Sequence, residues 1–398
     1  MFNYADRYLL AGLAEPIRRE FSLSDSTMGL LMGPAFALIY SVAAIPIARL
    51  ADRTSRIAVI TAGCAIWSLF TALTAFAHDG WTLAIARVGV GIGEAAYQAP
   101  SAALIAAYFA PEKRGRAFAL VSTAIYFGQI LGLAGGPAIA ADHGWRTAFS
   151  LLGGAGIAIA ATAWLLIREP PREAKADNEP GFSHIAAILV RAKSLTNMTL
   201  GLALGTLSGV AFGLWGSALF ERAYGLSNAT AGATFALSFG LPGLVGTLAF
   251  GFVADRMARR GLHRPLLLSA GALSAATLLI LIATWVPQLW MAKLLAVPSG
   301  LLGGGWSIGV IAALQYAAPE RHRATTTALS LLVMSMFGNM LGPWITGAVS
   351  TAIGSGSAYG LRLGLSLVIP TGLLGAWFIW RSAVTLEADR ALLMRETV

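Results

Sequence analysis

Apolar residues run in long stretches broken by short polar ones, from FNYADRYLLAG at the start to the tail TLEADRALLMRETV. Each stretch is about twenty residues, the length a helix needs to cross the hydrocarbon core of a bilayer. We count twelve such runs, which predicts an all-α membrane protein with twelve transmembrane helices. The longest polar segment, REPPREAKADNEPGFSHIAAILVRAKSL from Arg168, carries prolines, charges of both signs and a short amphipathic stretch. It predicts an N-terminal six-helix bundle over 1–167, a cytoplasmic linker over 168–194, a C-terminal six-helix bundle over 195–381 and a cytoplasmic tail over 382–398. Only about fourteen residues precede Glu15 and Pro16, short for a span, so further natural residues are expected before Met1. The start runs into Arg18 and Arg19 with no small-residue cleavage pattern, so no cleavable signal peptide is expected.

Three pairs of motifs repeat about half a chain apart. LADRTSR follows the second run and VADRMARR the eighth; APEKRGRAFAL is echoed by APERHRATTTAL, and GLAGGP by GNMLGP. Two parallel six-helix repeats are the layout of alternating-access carriers, with a substrate site near mid-membrane where the halves meet. The bundles are therefore expected to be pseudo-symmetric.

Composition sharpens the picture. The chain is 57% hydrophobic and 12% charged, against roughly 25% charged in a soluble domain. The net charge of +9 does not point to nucleic acid, because the basic residues concentrate in the loops of one side, among them Arg53, Arg56, Lys113, Arg114, Arg256 and Arg259. That is the positive-inside bias, which predicts cytoplasmic N- and C-termini and adds attraction to anionic lipid. The one cysteine, Cys64, lies inside the third run, and the five histidines are scattered through loops and linker, so neither a disulfide framework nor a metal site is expected. GVGIG from Gly89 follows no strand and fails as a nucleotide loop; its glycines suit close helix approach. With no nucleophile beside a base, no metal set and no phosphate loop, neither an enzyme nor a cofactor is expected.

The informative residues are charges inside apolar runs. A charge at the bilayer centre costs about 2.5 to 3.5 kcal/mol on insertion scales, so it marks a working site by default. Counting along the helices places Asp6 about 15 Å from the outer end of helix 1, and Arg87 and Glu94 about 9 and 20 Å into helix 4. Arg87 and Glu94 are seven apart, on one face, and can form a ladder opposite Asp6 and Arg7. In such a place burial favours the neutral carboxyl while a nearby arginine favours the ion. An arginine cannot deprotonate, and its forked donors suit a phosphate. Asp6 or Glu94 is thus the candidate proton carrier, and Arg7 or Arg87 the candidate headgroup receptor. The bland alternative is a static network joining helices 1 and 4. Across helices 7 to 12 only Lys293 stands out as an intramembrane charge, near an end where it can snorkel. That half offers Phe212, Trp215, Phe235, Phe239, Trp306, Phe337 and Trp344, and a charged half facing an aromatic one suits an amphiphile. Gln129, Gln315 and Asn339 are candidate path residues, and the GxxxGP stretches of helices 5 and 11 are expected to bend.

The loop motif resembles the signature G-x-L-x-D-R-x-G-R-R of the major facilitator superfamily. GFVADRMARR keeps Gly251, Asp255, Arg256, Arg259 and Arg260, whereas ARLADRTSRI keeps Asp52, Arg53 and Arg56 but has Ala48 and Ser55 in place of glycine. The acids suit the positive N-terminus of a helix from the other half, at Thr325 to Thr327 for Asp52 and near Gly115 for Asp255. Asp52, Arg53, Arg56, Asp255 and Arg256 are therefore expected to form a cytoplasmic gate. NYADRYLLAG with RVGVGIGEAAYQAP resembles the Spinster-like branch, where N-Y-x-D-R and G-x-G-E-A-x-Y recur. This resemblance covers residues 2 to 120. It implies carriage of lysophospholipids or sphingosine phosphate, proton coupling in some members, and adds the motif tyrosines Tyr4 and Tyr97 as substrate-binding candidates. The GxxxGP of helix 5 resembles part of the antiporter motif of drug exporters, but Thr123, Ala140 and Ala141 stand where that motif differs.

The expectation is a monomeric, proton-coupled carrier of a lysolipid-like amphiphile in a bacterial inner membrane. Its partners would be the amphiphile, protons and the bilayer, with no nucleic acid. The alternatives are a proton-driven multidrug exporter, which the same carboxylates would serve, and a membrane scaffold or sensor that keeps the fold without transporting.

Overall fold

The computed structural model describes residues 1–109, 111–170, 191–261, 263–318 and 323–396. Among them the regular structure is helical. Most of the predicted linker, 171–190, with most of its amphipathic stretch, lies outside the described residues. The first half comprises α1 (Phe2–Gly12), α2 (Ala14–Glu20), α3 (Asp25–Met32), α4 (Pro34–Arg53), α5 (Arg56–Thr74), α6 (Gly80–Glu94), α7 (Gln98–Tyr108), α8 (Pro111–Ile130), α9 (Gly136–His143) and α10 (Trp145–Leu166). The second half begins with the helix Lys193–Tyr224 and ends with Thr371–Glu396.

Among the described residues, ten helical stretches are long and apolar enough to cross a membrane. The first and fourth runs, which carry the candidate charges, are instead broken helices, α1 with α2 and α6 with α7. Proline explains both breaks, since it has no N–H and its ring crowds the carbonyl four residues back. Pro16 acts on Gly12, where α1 ends, and Pro100 acts on Ala96, just past the end of α6. The Gly12 carbonyl that Pro16 leaves open accepts the Asn228 side-chain amide at 2.9 Å. With these two interrupted segments the chain is an all-α, multi-pass membrane protein.

Polar loops start the helices. Ser24, Ser55 and Ser227 each accept the backbone N–H three residues on, capping α3, α5 and the helix Asn228–Phe235. Asp79 caps α6 in a reciprocal pair with Thr82, whose N–H it accepts at 2.7 Å. The Thr82 N–H and hydroxyl hold the Asp79 carboxyl below the usual carboxylate range. A second, remote cap strengthens α5: the Glu169 carboxylate accepts the Ser55 hydroxyl at 2.7 Å and the N–H groups of Arg56 and Ile57 at 3.1 and 3.0 Å. Single π-turns interrupt helices at Leu131–Gly135, Ala236–Gly240 and Ser335–Asn339. Two of these fall in the GxxxGP stretches, where the sequence predicts a bend.

Contacts divide the chain into two compact units. The first is Met1–Ala174 with Leu214–Leu237 and Pro343–Gly364; the second is Lys175–Gly213, Ser238–Gly342 and Leu365–Val398. In the first, glycine sets the helix spacing. A Cβ at Gly132 would meet the Ala5 carbonyl at 2.6 Å, and one at Gly93 would meet the Trp67 nitrogen at 2.5 Å and the Gly63 carbonyl at 2.8 Å. In the second, Leu202, Phe250, Leu273, Trp306 and Val310 share one core. The tail continues the last helix through Glu396; Asp389 accepts the Ser194 N–H at 2.5 Å and Arg390 lies over Tyr316.

Gly93→Ala is expected to cost about 1 to 3 kcal/mol by overpacking against backbone, whereas Gly154→Ala, with open space around it, leaves stability unchanged. Thermal unfolding of the purified variants in detergent checks both.

Candidate functional site

Four charges converge where helix 1 meets helix 4. Glycines bring α6 close to its neighbours, and α1 and α6 supply all four residues: Asp6 and Arg7 from one, Arg87 and Glu94 from the other. Glu94 is fully buried, Arg87 is 2% exposed and Asp6 3%. Arg7 donates Nε and Nη2 to the same oxygen, Glu94 Oε2, at 2.8 and 2.6 Å. Arg7 pairs with Glu94, while Asp6 lies in the fields of Glu94, Arg87 and Arg7. Among the described residues, Glu94 Oε1, Asp6 Oδ1 and Arg87 Nε are buried without a hydrogen-bond partner. A group of this kind costs free energy unless it is satisfied in some state of the protein. The cluster therefore holds three buried valences ready for a proton or a polar ligand.

Aromatic rings surround the Arg7 guanidinium. Its carbon lies 4.3 Å from the Phe36 centroid, 5.3 Å from Tyr4 and 5.2 Å from Tyr40. Tyr4 thus joins the site. Tyr97, in the turn between α6 and α7, packs edge-on to Trp67 at 6.3 Å. Gln129 is buried and Lys293 is exposed. Phe212, Trp215 and Phe235 are fully buried packing residues, and Trp215 donates its indole N–H to the Pro343 carbonyl at 2.9 Å. These three are consumed by the fold and offer no ligand face, unlike Phe337 and Trp344, which are exposed.

The predicted gate residues Asp52 and Arg53 are exposed at the end of α4, Arg56 opens α5, and Asp255 and Arg256 are exposed in the last turn of the helix Leu241–Ala258. Gly115 lies in a stretch whose side chains fall outside the described residues.

A second cluster adds a buried charge to the second half, where the sequence singles out only Lys293 as intramembrane. Arg222, 3% exposed near the end of the helix Lys193–Tyr224, donates Nε to Glu15 Oε1 at 2.7 Å, and Nη1 and Nη2 to the Asp25 carboxylate at 2.8 and 2.7 Å; Nη2 also reaches Glu15. Asp25 further accepts the Ser350 hydroxyl at 2.6 Å and the Gly356 N–H at 3.0 Å. Arg18 donates to Glu15 at 3.2 Å, and Glu221 accepts Arg19 at 2.7 Å and Asn228 at 3.0 Å. Three acids and three arginines thus close on one another inside the first unit. Helix-end charges look in sequence like loop charges. The signal was the paired composition of AEPIRRE and FERAY, each mixing both signs beside an apolar run.

Comparison with known proteins gives this geometry a lineage. The family model of the Major Facilitator Superfamily matches residues 1–336. The chain belongs to the Major Facilitator Superfamily. Within it the likeness is to Spinster-type transporters. A solved bacterial homolog of the human lysosomal transporter Spinster, in an inward-facing, unoccupied conformation, aligns with a TM-score of 0.87 at 26% identity, covering 98% of this chain and 95% of that one. The zebrafish (Danio rerio) sphingosine-1-phosphate transporter SPNS2 is 28% identical over 98% of this chain and 83% of its own. An MFS-type efflux pump of Mycolicibacterium smegmatis is 31% identical over 97% of this chain and 91% of its own. Membership makes the chain a transporter and not an enzyme.

Removing Arg222 strands two buried carboxylates, so Arg222→Ala is expected to cost about 3 to 5 kcal/mol. Arg19→Ala, at a position 61% exposed, is expected to cost no more than about 1 kcal/mol. Thermal unfolding of both variants in detergent separates them.

Proposed function

We propose that the protein is a proton-coupled secondary transporter of a lysolipid-like amphiphile with an anionic headgroup, working by alternating access. The observation that carries this reading is the Arg7–Glu94 contact through one carboxylate oxygen, with the other oxygen and Asp6 Oδ1 without a hydrogen-bond partner among the described residues. An arginine so held exchanges its carboxylate for a headgroup phosphate, and the carboxylate it leaves, unpaired in a buried site, takes a proton. Loss of the headgroup returns Arg7 to Glu94 and releases the proton. Asp6 or Glu94 carries the proton, Arg7 or Arg87 receives the headgroup, and Tyr4 and Tyr97 bind nearby. Likeness to the sphingosine-1-phosphate transporter supports an anionic amphiphile as cargo.

Two gates serve the cycle in this reading. Asp52, Arg53, Arg56, Asp255 and Arg256 act on the cytoplasmic side, and the Arg222 network acts on the outer one. The two halves, 1–167 and 195–381, are the moving parts, joined by the linker 168–194 and followed by the tail from 382. The protein works as a monomer in a bacterial inner membrane with both termini cytoplasmic. A second reading, a proton-driven multidrug exporter, is favoured by the mycobacterial efflux pump, since Glu94 and Asp6 would receive organic cations equally well.

The test is uptake of labelled lysolipids and of cationic dyes into liposomes, with and without a pH gradient. Asp6→Asn and Glu94→Gln are expected to abolish the response to the gradient, and Arg7→Ala and Arg87→Ala to raise the lysolipid KM by about tenfold or more. Folded variants that all keep gradient-driven flux overturn the coupling scheme. Dye uptake without lysolipid uptake selects the exporter reading.

A further inference from the structure

The Phe36 ring serves two guanidiniums at once. Arg7 lies 4.3 Å from its centroid and Arg87 5.5 Å. The two like charges stand within each other's field, yet Glu94 engages only Arg7 by hydrogen bonding. The Glu94 and Asp6 carboxylates offset part of the repulsion through space, and the ring face shared by the two guanidiniums adds to it.

The chain places this ring with care. Helix 2 breaks at Gly33, whose backbone (φ −108°, ψ −92°) departs from the helix, and restarts at Pro34, so Phe36 falls in the first turn of α4. Gly91 lets the Phe36 backbone come against α6; a Cβ there would sit 3.1 Å from the Phe36 carbonyl oxygen. One turn on, Tyr40 stacks against the ring at 5.6 Å and 25°, and its hydroxyl donates to Gln98 at 2.7 Å, which ties the stack to α7. Phe36 itself is 3% exposed. A ring face carries negative potential, and its attraction for a cation grows when water is excluded.

We propose that Phe36 is the positioning residue of the arginine pair: its π face lets both guanidiniums share one buried site and seats Arg7 on Glu94. The proposal deepens the transport reading and rests on it for its consequence in flux. A leucine fills similar space but lacks the ring face, so Arg7 loosens from Glu94 and meets the headgroup from many orientations instead of one. Tyrosine and tryptophan keep the face and keep the seat.

The full-length protein provides two separate readouts. In detergent, without substrate, phenylglyoxal labelling of Arg7 is followed by peptide mass spectrometry. In liposomes, KM and maximal rate are measured for labelled lysophosphatidic acid. Phe36→Leu is expected to speed Arg7 labelling and raise KM by about tenfold each, with the maximal rate within about twofold; Phe36→Tyr and Phe36→Trp stay near the parent. Fluorinated phenylalanines at position 36, which drain the ring face while preserving its shape, are expected to raise labelling stepwise with fluorine content, and they decide the matter if Phe36→Leu fails to fold. Labelling that ignores fluorination, or tyrosine and tryptophan variants as disturbed as leucine, overturns the proposal. A parent that labels as expected but carries no lysolipid defeats the transport reading and leaves the role of Phe36 standing.

Discussion

Burying Glu94 and Arg7 together is the constraint from which the rest of the first unit follows. Each charge alone would cost about 2.5 to 3.5 kcal/mol at mid-membrane, and they offset that cost only if helices 1 and 4 hold them within hydrogen-bonding distance. Glycines at 63, 91 and 93 seat helix 4 closely on helices 3 and 2, and Gly132 seats helix 1 closely on helix 5. Aromatic faces from α1 and α4 then screen the guanidinium from hydrocarbon.

The two charged clusters differ in how completely they are satisfied. Around Arg222 the donors and acceptors interlock, with two carboxylates, a hydroxyl and a backbone N–H meeting one another within 3.0 Å. Around Arg7 one carboxylate oxygen does the work of two while its twin has no partner among the described residues. The Arg222 network is nearly saturated, Arg18 Nε being its one buried polar atom without a hydrogen bond among the described residues, and so it resists change and suits a closure. An unsaturated one gains by exchanging partners, which is what a site that binds and releases must do.

Much of this was legible in the sequence. Run length gave the membrane class, and charges inside apolar runs picked out Asp6, Arg7, Arg87 and Glu94, because hydrocarbon makes such residues expensive. Glycine in GVGIG read correctly as close packing, since each of the three meets a neighbouring helix. The pairing was not legible: seven-residue spacing puts Arg87 and Glu94 on one face, but only coordinates reveal that Arg7 takes Glu94. Nor was the Arg222 cluster, whose partners sit at helix ends, where charges are cheap and so carry little information. Glu169 belongs with these. A glutamate in a polar linker looks solvated, and its role as a remote cap depends on where the end of α10 returns.

The separation of Arg222 from Glu15 bears on how the chain is made. The two residues lie 207 positions apart, and a ribosome adding about 5 to 20 residues per second needs about ten to forty seconds to cover that distance. For most of that interval Glu15 and Asp25 are outside the exit tunnel with Arg18 beside them but without Arg222. The final seating of these two carboxylates therefore belongs to the second half of synthesis.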